Sequence, residues 1–341
     1  LSIQDPNTSD TAKSKVRKPY EINRYQFKQD YEGYLDNRKT HLYLFDIKTR
    51  KLDTLTKGNF NETKASFSYD GIKIVYVSNT TDDPDKNSNT DIFVLDLKTG
   101  SKPKQLTTFR GENDSPVFSP DDQWVGFLQS SSAAEFNMYE QNQIGIVNLS
   151  TGAIQILTAS LDRPVTEFVW ASDSKHIFFI TEDDRKQNIY RLNTEKKIQE
   201  SVTDENAVYQ NLHTNAKGEL IALYSSPDMP EEIYAFENGK FKQVTHVHEV
   251  FISSLKKIYK KGFTSISKDG TKVSGILYLP DSTSKKLPLI LFIHGGPVAQ
   301  DDYSFDQTRE TFAAAGFAVA AVNYRGSSGR GSAFCKAIYA D

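Results

Sequence analysis

Three sequence columns recur in phase along residues 41–245, and no other feature restricts the fold as strongly. The first column is a short strand ending on a polar residue: HLYLFD (41–46), DIFVLD (91–96), QIGIVN (143–148), NIYRLN (188–193) and EIYAFE (232–237). Its last residues, Asp46, Asp96, Asn148, Asn193 and Glu237, are 50, 52, 45 and 44 apart. The second column follows each strand as Leu55-Thr56, Leu106-Thr107, Leu157-Thr158, Val202-Thr203 and Val244-Thr245. Turn residues such as Lys98-Thr99-Gly100, Ser150-Thr151-Gly152 and Asn238-Gly239 lie between the two columns and read as hairpin turns. The third column runs Phe67-Ser68-Tyr69-Asp70-Gly71, Phe118-Ser119-Pro120-Asp121-Asp122 and Trp170-Ala171-Ser172-Asp173-Ser174, with a degraded copy from Thr214 through Ala216 to Gly218. An apolar run follows each copy: IKIVYV, WVGFL, HIFFI and ELIALY.

Each unit is therefore about four short strands in 42 to 52 residues, the size and content of one β-propeller blade. One blade cannot bury both of its faces alone, and stacking blades covers the faces while leaving only short edges. An aromatic content of 12 % suits such strands. About five blades are visible over 20–249, the first weak, with 20–28 (YEINRYQFK) expected as its inner strand. Five is few for a closed ring, so further blades are expected before Leu1. Residues 1–19, polar with a basic cluster (Lys13, Lys15, Arg17, Lys18), read as a tail or loop. Residues 79–90 read as a surface loop, and Asp82, Asp83 and Asp85 lack the ordered spacing of a calcium loop.

After a connector at 250–262 the period is lost. Residues 263–279 read as a hairpin. The run 289–293 (LILFI) is continuously apolar, like a strand buried on both faces of a parallel sheet, and it leads into His294-Gly295-Gly296-Pro297. A helix is expected at 306–315, ending at Gly316. A second apolar strand at 317–323 follows and runs into Tyr324-Arg325-Gly326-Ser327-Ser328-Gly329. Strand, helix and strand with glycine turns at the strand ends describe the opening of an α/β domain over 263–341. The glycines after 293 let backbone N–H groups approach an oxygen that becomes negative during acyl transfer. Such a turn reads either as a plain tight turn after a strand or as half of an α/β-hydrolase oxyanion hole. His294 reads as a structural residue of that turn.

Composition narrows the function classes. Lys plus Arg is 41 against 44 Asp plus Glu, a net charge of −3, which excludes a broad electrostatic nucleic-acid binder. The single cysteine, Cys335, excludes an intrachain disulfide framework and a cysteine-based zinc site, and reads as a small buried hydrophobe. No apolar run approaches the roughly 20 residues of a membrane-spanning helix. The chain begins at Leu1 and no compartment is assigned to it. No metal or cofactor is expected.

The propeller repeat, the ILFIHGGP turn and the VNYRGSSGRG segment, in that order, resemble the prolyl oligopeptidase family of serine peptidases, in particular its acylaminoacyl peptidase and dipeptidyl peptidase branch. The resemblance covers residues 20–341, and EGYL (32–35) belongs to it. It implies a mainly β chain: a β-propeller that gates access to an α/β-hydrolase domain acting on short peptides. It also implies that Gly296 is an oxyanion-hole glycine and that Arg325 and Gly326 form a structural motif. The family's nucleophile sits in a downstream G-x-S-x-G elbow, with Asp and His later still. No G-x-S-x-G occurs here, and Ser327, Ser328 and Ser332 are not in that frame. Of the histidines, His41, His176, His213, His246, His248 and His294, none matches the base. The expectation is a chain truncated before its triad and inactive alone, with the missing C-terminal segment or a homo-oligomer as its partner. Two other classes remain: a non-catalytic propeller binding or scaffold module, and a metal-dependent sugar lyase. The lyase is disfavoured because His176, His213 and His246 fall at different blade positions.

Overall fold

The computed structural model describes residues 21–98, 100–133, 138–215 and 217–339, with the backbone of 2–4 and 137. Thr99 and Ala216 of the repeat, Tyr20, Asp341 and the expected tail apart from 2–4 lie outside the described residues. Contacts divide the chain into two compact units, Leu1–Asn137 with Ile144–Ile156, and Met138–Gln143 with Leu157–Asp341.

The first unit holds two complete four-stranded antiparallel sheets. One orders Glu62–Phe67, Lys73–Ser78, Asp91–Asp96 and Lys104–Gln105; the other orders Asn113–Phe118, Trp124–Ser130, Asn142–Asn148 and Ile154–Ile156. Val75, Val77, Ile92, Phe118, Val125 and Phe127 form their shared core. A third sheet has three strands, Ser2–Gln4, Thr40–Phe45 and Leu52–Thr54. The strand expected at 20–28 is not formed. Residues 21–27 are irregular, and among the described residues nearby the ladder formed is Lys28–Gln29 with Gly33–Tyr34. The alternation in YEINRYQFK had suggested a half-buried strand, but Ile22, Tyr25 and Phe27 are all exposed, so no buried face rewards extended pairing. The Ser2–Gln4 backbone pairs with Thr40–Phe45.

The second unit contains two further four-stranded blades. Their strands are Val165–Trp170, His176–Asp183, Lys186–Asn193 and Gln199–Ser201, then Val208–Thr214, Leu220–Ser226, Met229–Glu237 and Lys240–Gln243. A single parallel bridge, Gln187 to Val208, joins them. The strands at 41–46 and 91–96 therefore sit in different sheets, as separate blades require.

The repeat columns are hydrogen-bonding devices. In four units the threonine hydroxyl accepts the N–H of a first-column strand residue: Thr56 from Leu42 (2.9 Å), Thr107 from Ile92 (2.9 Å), Thr203 from Ile189 (2.9 Å) and Thr245 from Ile233 (2.8 Å). The same hydroxyls donate to Glu62 (2.9 Å), Asp91 (2.7 Å), Asn188 (3.1 Å) and Glu232. The first-column caps head turns: Asp46 accepts from the N–H groups of Lys48 and Thr49, and Asn148 from those of Ser150 and Thr151. The fourth residue after the cap, Arg50, Gly100, Gly152 or Lys197, has φ of +57°, +81°, +74° or +55°, which explains the glycines seen there. In the third column Ser68 and Ser119 donate to Asp70 and Asp121 (both 2.6 Å) and accept the N–H of the strand that follows.

Beyond the blades, a helix at Glu249–Ser254 and a strand starting at Tyr259 occupy much of the expected connector. The following mixed sheet orders Tyr259–Ile266, Lys272–Leu279, Ala318–Asn323 and Leu289–Phe292. Its last pair is parallel and the others are antiparallel. Helix Gln307–Ala314 connects the parallel strands; Asp306 caps it by accepting the Arg309 N–H, and Gly316 follows at φ +100°. Ile276, Tyr278, Ala313 and Val319 form the core beneath it. One expectation for this region is corrected. The run 289–293 is not buried on both faces: Leu289, Leu291 and Ile293 are 62 %, 54 % and 69 % exposed. The strand is the sheet's edge and a helix covers only one face, so alternate side chains point to solvent.

Candidate active-site turn

The parallel strands Leu289–Phe292 and Ala318–Asn323 end at the same edge of the sheet, where ligands bind in open α/β sheets. The two loops that leave them are tied together at their bases. Asn323 accepts the Asp301 N–H (2.7 Å) and donates its amide to the Asp301 carbonyl (2.9 Å). The Ser328 N–H donates to the Ala299 carbonyl (2.9 Å).

His294 leads the first loop. Its ring stacks on Tyr324 at 4.6 Å between centroids, and the Tyr324 hydroxyl donates to the His294 carbonyl (2.6 Å). Nδ1 lies 2.9 Å from the Gly295 carbonyl and Nε2 2.9 Å from Ser327 Oγ, while that hydroxyl also reaches the Tyr324 carbonyl at 2.7 Å. A carbonyl only accepts, so the Gly295 contact places a hydrogen on Nδ1. With a neutral ring, Ser327 then donates either to Nε2 or to Tyr324, one hydrogen serving two acceptors. Both ring nitrogens are thus occupied, Nδ1 within its own loop and Nε2 across to the second loop.

Gly295 has open space around its Cα. Gly296 has φ +128°, and a Cβ there would lie 2.8 Å from the Val298 nitrogen, so neither the backbone nor the space admits a side chain. Pro297 follows through a cis peptide bond. In the second loop, Arg325 pairs with Asp269 at 3.2 Å. Gly326 has φ +99° and packs under Ile338, where a Cβ would come within 2.6 Å. The histidines of the blades do not converge: His41, His176, His246 and His248 each face a separate carboxylate, Glu62, Asp173, Glu249 and Glu232. Among the described residues no group of three metal-ligating side chains is found, and no helix is long and apolar enough to cross a membrane.

Sequence reasoning missed what surrounds this edge. The hairpin tip Asp184-Arg185 of the fourth blade is bonded to both loops. Beside it lie two carboxylates, Glu182 and Asp302. Burial raises the Glu182 carboxyl above its ordinary range, and the charge of Asp302 adds to the rise. Burial raises Asp302 too, opposed by hydrogen bonds from Ser304 and Gln187. No spacing rule marks these residues, because they meet only after a blade hairpin and a hydrolase-type loop have folded together.

Blades of this kind followed by a strand, a glycine turn and a helix define the class: a β-propeller joined to the first part of an α/β-hydrolase domain. The chain belongs to the acylaminoacyl-peptidase N-terminal β-propeller family, whose model matches residues 9–230, and is thus a relative of the prolyl oligopeptidases. A second family model, BD-FAE, matches residues 276–339. Among related sequences, an uncharacterized peptidase of Bacillus subtilis, YuxL, is 26 % identical over 95 % of this chain and 51 % of its own length. Dipeptidyl-peptidase 5 of Porphyromonas gingivalis is 25 % identical over 81 % of this chain and 41 % of its own length. Among solved structures, an acylaminoacyl peptidase in complex with Z-Gly-Gly-Phe-chloromethyl ketone superposes with a TM-score of 0.77 at 19 % identity, covering 96 % of this chain and 50 % of that one. The Pyrococcus horikoshii acylaminoacyl peptidase gives 0.76 at 20 % identity, again over 96 % and 50 %. The chain thus spans about half the length of the relatives it matches.

Proposed function

We propose that this chain is part of a propeller-gated serine peptidase that removes residues from the N-terminal region of short peptides, of the acylaminoacyl or dipeptidyl peptidase type. The observation that carries the reading is the His294-Gly295-Gly296-Pro297 turn at the carboxyl edge of two parallel strands, in a chain of this family. In acyl transfer the carbonyl oxygen becomes an oxyanion, and donors fixed where that charge develops lower the barrier. Gly296 is assigned as one donor, with the N–H after the nucleophile as the other. Arg325 and Gly326 are assigned a structural role, Arg325 tying the second loop to Asp269 and Gly326 letting it pack under Ile338.

The organisation proposed with it is a polar segment at 1–19, the propeller at 20–249, a connector at 250–262 and the first part of the hydrolase domain at 263–341. Residues 1–341 contain no G-x-S-x-G and no histidine after His294. By this reading they do not hydrolyse peptides alone, and the nucleophile and base come from outside residues 1–341. The test is the longer protein assayed on chromogenic acyl-amino-acid and dipeptide substrates. Turnover on one of these classes supports the reading, and a folded protein silent on all of them overturns it.

A further inference from the structure

The hairpin between His176–Asp183 and Lys186–Asn193 closes on the pair Asp183 and Lys186, leaving Asp184-Arg185 as a two-residue turn with φ of +40° and +75°. Two successive left-handed residues make a type I′ turn, for which Asn-Gly is the usual pair. An arginine held there opposes the steric preference of L-residues. Such a conformation persists where the surroundings over-determine it.

The surroundings here are the two loops of the candidate site. The Asp184 N–H donates to the Gly329 carbonyl (2.8 Å) in the second loop. In the first loop, Gln300 accepts the Arg185 N–H (2.9 Å) and donates to the Lys186 carbonyl (3.2 Å), as a neighbouring strand would. The Tyr303 N–H donates to the Arg185 carbonyl (2.8 Å). The side chains reach further. The Arg185 guanidinium donates to the carbonyls of Gly275 (3.1 Å) and Phe263 (3.3 Å) and lies 5.6 Å from the Tyr303 ring centre. The Asp184 carboxylate accepts the Ser274 hydroxyl. Two glycines leave room for the turn. A Cβ on Gly262 would lie 2.6 Å from Arg185 Nη1, and one on Gly329 would lie 3.0 Å from the Asp184 nitrogen.

We propose that the Asp184-Arg185 turn is a positioning element: a blade hairpin that fixes the 298–303 and 326–331 loops, and through them the alignment of the Gly296 N–H. Only its catalytic meaning rests on the peptidase reading; the clamp stands on the contacts. Neither residue touches the reacting atoms in this proposal. Loop order and turnover are therefore the quantities it moves.

The experiment uses the longer protein with two variants. Asp184→Asn with Arg185→Gly keeps a turn of the favoured type, turns the Asp184 carboxylate into an amide and removes the Arg185 guanidinium. Gln300→Ala leaves the turn's residues intact and removes the bridge to the first loop. Hydrogen exchange by mass spectrometry and steady-state kinetics on the acyl-amino-acid or dipeptide substrate that the protein turns over are the readouts. In both variants the amides of 298–303 are expected to exchange roughly tenfold faster or more, as for a lost hydrogen bond, with 176–183 unchanged. Turnover is expected to fall on the order of 10–100-fold, as for a misplaced catalytic group, while KM moves less than about threefold. Wild-type exchange in the loops of both variants overturns the clamp. Faster exchange with unchanged kcat overturns the positioning role. A wild-type protein without peptidase activity overturns the function proposed above, and the exchange data still decide the clamp.

Discussion

Replacing Thr107 by valine tests the hydrogen-bonding account of the repeat. Thr107 is fully buried; its hydroxyl accepts the Ile92 N–H at 2.9 Å and donates to Asp91 at 2.7 Å. Valine has nearly the same shape, so packing changes little while both bonds vanish. A buried N–H left without a partner costs about 1–3 kcal/mol, and the lost bond to Asp91 adds about 1 kcal/mol, giving about 2–4 kcal/mol. Asp91 keeps its bond from Gln105 at 2.8 Å, which limits the second part. Burial already raises the Asp91 carboxyl, and the Thr107 and Gln105 bonds hold it down. The variant should therefore raise it further. Because the chain divides into two units, a single unfolding midpoint is a poor readout. Exchange of the Ile92 amide reports locally, and 2–4 kcal/mol corresponds to roughly 30- to 1,000-fold faster opening. Thr107→Ser keeps the hydroxyl and should lie within about tenfold of wild type. The reasoning fails if Thr107→Val exchanges as wild type does, or if the serine variant is as severe as the valine.

Arg50→Gly and Lys197→Gly place glycine at the φ-positive turn position that Gly100 and Gly152 already occupy; each should leave stability unchanged or raise it by up to about 1 kcal/mol in denaturant unfolding, and a loss of that size would contradict the turn assignment. Burial, reinforced by the charge of Glu182, pushes the Cys335 thiol up to about 11 from its ordinary 9.0. This preference for the protonated form contributes stability in full below pH 9.0 and is lost as pH rises toward about 11. A thiol reagent at pH 8 should label unfolded chain rapidly and folded chain very slowly; rapid labelling of folded chain refutes the burial. Leu289, Leu291 and Ile293 form an exposed apolar stripe on an edge strand. The isolated 341-residue chain should self-associate in sedimentation velocity and Leu291→Lys should reduce this; a wild-type chain monomeric at all concentrations contradicts it.

What was legible in the sequence depended on local chemistry repeated in register. Asp46 and Asn148 head their own turns, and Thr56, Thr107 and Thr203 serve strands about 15 residues away, so fixed spacing exposed them. The helix at Gln307–Ala314 was readable because Asp306 and Gly316 bracket it. Properties set by distant neighbours were not readable. The strand expected at 20–28 has the right alternation but no covering partner, and the 289–293 run has the composition of a central strand at an edge position. Gly296 stands out in the sequence as one of a glycine pair after an apolar strand, and its φ of +128° is a conformation that favours glycine. The Asp184-Arg185 turn could not, since its sequence contradicts the usual turn pair and its reason lies over 100 residues downstream, at Gln300.

The most direct test of the central claim is covalent labelling of the longer protein with a fluorophosphonate, followed by mapping of the modified residue. The account predicts one labelled serine outside residues 1–341, labelling that stops peptide turnover, and no label on Ser327, Ser328 or Ser332. A protein that hydrolyses peptides with its label on one of those three serines, or with no serine labelled, would contradict it.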